Sequence, residues 1–249
     1  MHTLERILVT VRTYPTLSTK YIETVCTGGI NDRGEWRRLY PVQLRHLDDS
    51  QQYRTFDIIQ VQLGSNPDGR VESRRPDCST LSILGRVKSW RERCDWVLPT
   101  ALPSMSALRA SDRTLAPVAV DKVLEFIANP VDAEWSAKQK DLLRQAGLFQ
   151  GPEPLEKVPF DFRLRWRDEE GEVMDSKFIA WEVGQTWRQF RRRYADPIGV
   201  MREKWLSDLF GPERKAWFFM GNFAEHRQHF GVCGAFTPPK KECGIGCLW

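Results

Sequence analysis

The chain is 249 residues long, with 41% hydrophobic residues, 28% charged residues and a formal net charge of +4. These values exclude a disordered or fibrous chain and leave room for one large domain or two small ones, each with a real core. They also exclude a strongly polybasic binder, so any hold on an acidic partner has to come from a local cluster and not from total charge.

The first hundred residues read as strand. Arg6 to Arg12 alternates and is rich in Ile, Leu and Val, and Tyr21 to Thr27 alternates until Gly28-Gly29 interrupts it. Asn31-Asp32-Arg33-Gly34 is a turn with glycine last, which predicts a hairpin into a returning strand from Glu35 to Tyr40. Phe56 to Leu63 and Thr80 to Trp90 are two further strands. Short strands separated by turn signals predict a curled antiparallel sheet or barrel of OB-, SH3- or PUA-like kind over residues 1–98.

From 99 to 150 the pattern turns helical. Ser104 is placed to cap a short helix, and Val120, Val123, Leu124 and Ile127 form a helical stripe that ends at Asn129-Pro130. Asp132 is placed to cap the next helix, which carries Trp135, Leu142 and Leu143 and stops at Gly147. Gly151-Pro152-Glu153-Pro154 reads as a hinge.

Residues 155–240 read as an α+β part, with a tail from 241 to 249. Phe160, Phe162, Leu164 and Trp166 alternate with charged residues as a half-buried strand, and Glu169-Glu170-Gly171 turns it into a second strand near Val173 to Ile179. Trp181, Gly184, Trp187, Phe190 and Tyr194 then line one stripe of a helix, with Arg188, Arg191, Arg192 and Arg193 beside them. Asp196-Pro197 caps a second helix striped by Ile198, Met201, Trp205 and Leu209, which Gly211-Pro212 ends. Ala216 to Gly221 and Gly231 to Phe236 form a strand pair around a loop holding His226 and His229. The whole is an α+β protein.

The arginine run is the strongest functional signal, because three consecutive guanidinium groups, with Asp196 the one acid within a turn, make an unbalanced field suited to phosphate. Trp36, Arg38 and Tyr40 share one face of a strand and would offer base stacking beside a cation, with Arg74 and Arg75 contributing from a loop. These residues predict a nucleic-acid-binding protein, with DNA or RNA as partner. Asp175 and Glu182, or the His226 and His229 loop, are the residues a metal-dependent nuclease or nucleotide-processing enzyme would use. Ten tryptophans also suit the anchors of a protein partner in a larger assembly.

His226, His229, Cys243 and Cys247 together would offer a tetrahedral zinc ion two imidazoles and two thiolates. The P-loop, G-x-G-x-x-G, G-x-S-x-G, H-E-x-x-H and zinc-deaminase signatures do not occur. No apolar run approaches the roughly 18 residues of a membrane-spanning helix, and the first residues lack the charged and apolar regions of a signal peptide. The six cysteines are scattered, which predicts reduced thiols in a cytoplasm.

Overall fold

The structure, a computed structural model, describes residues 3–18, 22–43, 47–147, 157–224 and 226–243. It is an α+β protein built on two sheets. The N-terminal sheet is a curled half-barrel whose six-strand path runs β6 (Ser73–Arg74), β4 (Trp36–Val42), β3 (Ile22–Asn31), β1 (Thr3–Arg12), β5 (Asp57–Leu63), β7 (Pro76–Arg86). β2 (Thr16–Ser18) pairs with β3 at its side. The β3–β4 hairpin closes at the predicted turn. Asn31 Oδ1 accepts from the backbone of Arg33 and Glu35, and Gly34 takes φ +74°, a conformation open to glycine at little cost.

The second sheet is ordered β10 (Val173–Lys177), β9 (Phe160–Asp168), β8 (Leu115–Pro130), β11 (Ala216–Asn222), β12 (Phe230–Phe236), with every neighbouring pair antiparallel. In chain order α1 (Trp90–Val97) and α2 (Met105–Ala110) come between the two sheets, α2 being capped by Ser104 Oγ as the sequence predicts. α3 (Ala137–Gly147) follows β8. α4 (Trp181–Phe190) and α5 (Pro197–Lys204) follow β10, and α5 runs on into a π-helical turn at Trp205–Leu209. Asp196 caps α5 by accepting from Gly199 N at 2.8 Å.

Side-chain alternation along β11 explains the layering. Phe218 and Met220 point into a core shared with Trp187 of α4, Met201 of α5 and Trp205, while Trp217 and Phe219 point into a second core shared with Val11, Ile30 and Trp36 of the half-barrel. The second sheet is therefore covered by helices on one side and by the half-barrel on the other. That is why its central strands carry unbroken apolar runs. A third core, with Ile7, Val9, Leu39, Tyr53 and Ile59, fills the half-barrel itself.

Several sequence expectations need correction. The stripe Val120, Val123, Leu124, Ile127 is not helical but lies in β8, the central strand of the second sheet. Gly28-Gly29 does not interrupt β3. A Cβ on Gly29 would stand 2.4 Å from Leu8 O, so glycine lets two strands pass closely there. The strand expected to end at Trp90 stops at Arg86, and Trp90 opens α1 behind the N-cap Ser89. Asp132 does not cap α3; its carboxylate accepts from Glu134 N, and Ser136 Oγ accepts from Gln139 N instead. The Gly151-Pro152-Glu153-Pro154 hinge lies outside the described residues.

Candidate functional site

α4 begins with an acid, Glu182, in its first turn, where the helix dipole favours negative charge. Its apolar face buries Val183, Gly184 and Trp187. Glu182, Gln185 and Gln189 stand one turn apart on the other face and look across to the half-barrel. Between them lies a pocket of about 730 Å³. Its far wall is Arg12 at the end of β1, the segment Gln52 to Thr55 before β5, and Arg86 at the end of β7. Trp181 lines it as well.

Arg12 is buried at 7% exposure. Its guanidinium lies 4.4 Å from the Trp181 ring centroid and donates from Nη1 to Tyr53 O at 2.8 Å. Among the described residues no carboxylate makes an ion pair with it, and its Nε has no hydrogen-bond partner. Burial draws its pKa below the ordinary arginine value, although Tyr53, Glu182 and Asp57 pull the other way. Tyr53 is fully buried and shares a 2.6 Å hydrogen bond with Thr27 Oγ1.

Glu182 accepts from Thr55 Oγ1 at 2.9 Å. Its side chain is exposed toward the pocket, yet the protein mass around it displaces enough water to raise its pKa above the usual carboxylate range. Hydrogen bonds from its own backbone and from Thr55, and the charge of Arg12, oppose that rise. Arg86 is tied to Asp57 at 2.7 Å, whereas Arg54 is exposed and its guanidinium has no ion pair among the described residues.

The arginine run continues from the end of this helix. α4 stops at Phe190, so only Arg188 lies within it and Arg191 to Arg193 form the turn toward α5. Arg188 is half-buried with its Nε unpartnered, and Arg191 stacks over Trp187 at 4.8 Å. Arg192 and Arg193 are exposed, and among the described residues no acidic side chain is bonded to either. Their position also opposes the negative end of the helix dipole, which contributes about 0.3–1 kcal/mol per cation.

The other predicted residues fare differently. Trp36 and Arg38 are buried at 5% and 2%, so they offer no surface for stacking or phosphate. Trp36 packs on Phe219 with centroids 5.7 Å apart, and Arg38 reaches across to Thr114 O at 2.7 Å, joining the two sheets. The reason is that the half-barrel's outer face is covered by the second sheet. Tyr40 is half-buried. Arg74 donates to the carbonyls of Val71 and Ser73, and Arg75 is exposed.

Asp175 and Glu182 do not converge. Asp175 is held by Arg163 Nε at 2.6 Å and lines a separate pocket of about 620 Å³ with Lys177, His226 and His229. The four-ligand zinc arrangement also needs correction. Cys243 is disulfide-bonded to Cys94 of α1, with Cα atoms 5.9 Å apart, so neither is the reduced thiol expected, and Cys247 lies outside the described residues. Among the described residues no group of three or more His, Cys, Asp or Glu side chains is placed to hold a metal ion. No helix there is long and apolar enough to cross a membrane.

Sequence reading missed Arg12, Arg54 and Arg86. They come from three separate segments of the half-barrel, and no local spacing links them. Only Gln185 and Gln189, one turn apart beside the arginine run, carried a local signal.

Fold and site together define a two-sheet α+β protein with an arginine-lined polar pocket where a helix meets the half-barrel. Residues 101–246, more than half of the chain, match a family described as Domain of unknown function (DUF8757), and the chain belongs to that family. Residues 3–99 match a second, Domain of unknown function (DUF8758). The boundary between the two matches falls between α1 and α2. No curated protein matches the chain.

Proposed function

We propose that this protein binds nucleic acid across α4, the arginine turn that follows it, and the pocket it shares with the half-barrel. The observation that carries this reading is the open guanidinium field. Among the described residues Arg192, Arg193 and Arg54 are exposed without acidic partners, and Arg12 lines the same pocket as Arg54, buried and without an ion pair. Arginine forks suit phosphate oxygens, and such contacts hold a strand in register without reading its sequence.

The test is fluorescence-anisotropy binding of short single- and double-stranded DNA and RNA across a salt series. Affinity falls as salt rises because bound phosphates release counterions. In Arg192→Ala/Arg193→Ala the affinity drops for every sequence alike, and the salt slope shrinks by about 2. Binding that ignores salt, or that the double variant leaves unchanged, contradicts the reading.

A second reading, cleavage of a phosphate ester, draws on the pocket that gathers Asp175, Lys177, His226 and His229. Divalent-metal-dependent cleavage that disappears in His226→Ala/His229→Ala supports it. Arg163, already bonded to the Asp175 carboxylate, counts against it.

A further inference from the structure

We propose that the pocket between α4 and the half-barrel takes a single nucleotide, its base edge against Glu182, Gln185 and Gln189 and its phosphate on Arg54. This deepens the nucleic-acid reading and rests on it for the polymer. The nucleotide itself is either one unstacked residue of a bound strand or a free mononucleotide.

The size fits first. About 730 Å³ lies inside the roughly 300–1,000 Å³ of small-molecule sites. The chemistry of the walls then narrows the class. Pockets for apolar ligands are lined by hydrocarbon, with few polar groups. Here one helix face presents a carboxyl and two carboxamides in succession, and among the described residues the carboxamides of Gln185 and Gln189 have no hydrogen-bond partner. An amide carries an acceptor oxygen and two donor hydrogens in one plane. That alternation complements a nucleobase edge, which also sets donors beside acceptors in a plane.

Glu182 adds a group of adjustable character. Thr55 Oγ1 holds Oε1, and the exposed carboxyl lines the pocket. Its surroundings raise its pKa, chiefly by burial, so this carboxyl keeps a proton to higher pH than an exposed glutamate.

Arg12 is the independent observation that points to a ligand. A buried charge without a partner is costly, and buried polar atoms in folded proteins are nearly all bonded. Arg12 is more than nine-tenths buried and lines the pocket wall. Among the described residues its guanidinium makes a single hydrogen bond, to Tyr53 O. The Trp181 ring and the charges of Glu182 and Asp57 lie near it, but a ligand bearing acceptors supplies the hydrogen bonds that its remaining donors, Nε among them, do not find in the protein. Arg54 at the mouth, and Arg192 and Arg193 beyond the end of α4, extend the positive field outward for phosphates.

The experiment uses the full chain and two probes. Oligonucleotides carrying 2-aminopurine brighten when that base leaves the stack, and the four free mononucleotides are titrated by calorimetry. Three proteins are compared: the unaltered chain, Gln185→Leu/Gln189→Leu and Arg192→Ala/Arg193→Ala. The expected result is a fluorescence rise on binding. The glutamine variant loses that rise and binds about tenfold more weakly, the cost of losing base-edge contacts. The arginine variant binds more weakly but keeps the rise at saturation, and Glu182→Gln shifts the pH at which the rise is largest.

Oligonucleotide binding without a rise, or a rise that survives in the glutamine variant, overturns the pocket assignment and leaves the nucleic-acid reading standing. Absence of oligonucleotide binding removes that reading. The calorimetry then decides the pocket alone. Mononucleotide binding abolished in the glutamine variant upholds it as a free-nucleotide site, and no mononucleotide binding overturns it.

Discussion

Arg37 and Glu5 are both buried, and Arg37 closes on Glu5 with two hydrogen bonds of 2.8 and 3.0 Å. Burial alone would raise the Glu5 pKa. The bonds from Arg37 and Asn31, with the charges of Arg37 and Arg33, outweigh it and hold Glu5 below 4.5. Glu35, which accepts from Asn31, Arg33 and Arg37, is drawn down to about 2. Since both folded pKa values lie below the unfolded ones, the folded state binds fewer protons between them. The stability these carboxylates contribute is complete above pH 4.5 and is lost as the pH falls toward 2. Glu5→Gln is expected to flatten that acid limb and to cost about 1–3 kcal/mol at neutral pH, because the buried Arg37 loses one of its two carboxylates and keeps only the half-exposed Glu35. Urea denaturation at a series of pH values reads both. The arginine turn behaves differently at this scale. Arg192→Ala/Arg193→Ala should change stability by no more than about 1 kcal/mol, so any loss of binding there is not a loss of fold.

Among the elements, β8 shows how spacing misleads. Its pairing with β9 slips between Val120 and Lys122 and again between Val123 and Glu125. Each bulge adds a residue and resets which side chain faces the helices. Val120, Val123 and Phe126 all reach the same core at intervals of three, a helical spacing written into a strand. Such a pattern cannot be told from a helix until the partner strand is known. β9, β10, β11 and β12, the Asn31–Gly34 turn and the caps Ser104 and Asp196 were legible, because strict alternation and capping chemistry are local. The Gly28-Gly29 pair was not, since its reason lies on neighbouring strands. Gly29→Ala should lower the melting temperature markedly, as its Cβ would meet the Leu8 carbonyl, while Gly34→Asn should be milder because asparagine tolerates φ +74° better than other side chains and its Cβ would meet no atom within 4 Å. Thermal melts of the two variants side by side check the contrast.

For the molecule as a whole, the two sheets share a core. Phe236 of the second sheet stands 5.9 Å, centroid to centroid, from both Phe56 of the half-barrel and Trp90 of α1. Removing the ring should cost about 3–5 kcal/mol. Phe236→Ala should shift one common transition, seen alike by tryptophan fluorescence and far-UV circular dichroism, instead of splitting it in two. The same packing hides Trp36 and Arg38, which the sequence presents as an open stacking face. Alternation along β4 reveals that two faces exist, but not that both are covered. The pocket was out of reach of sequence for a related reason. Arg12, Arg54, Arg86 and the α4 face meet only once the half-barrel and the helix are docked, so of the site only Glu182, the arginine run and the two nearby glutamines could be seen beforehand.

The most direct test of the central claim is the salt-series anisotropy measurement on single- and double-stranded DNA and RNA, with the unaltered chain and Arg192→Ala/Arg193→Ala run together. The account predicts binding to at least one of the four that weakens steeply with salt, with a slope smaller by about 2 in the variant. No binding to any of the four, or binding indifferent to both salt and the two arginines, would contradict it.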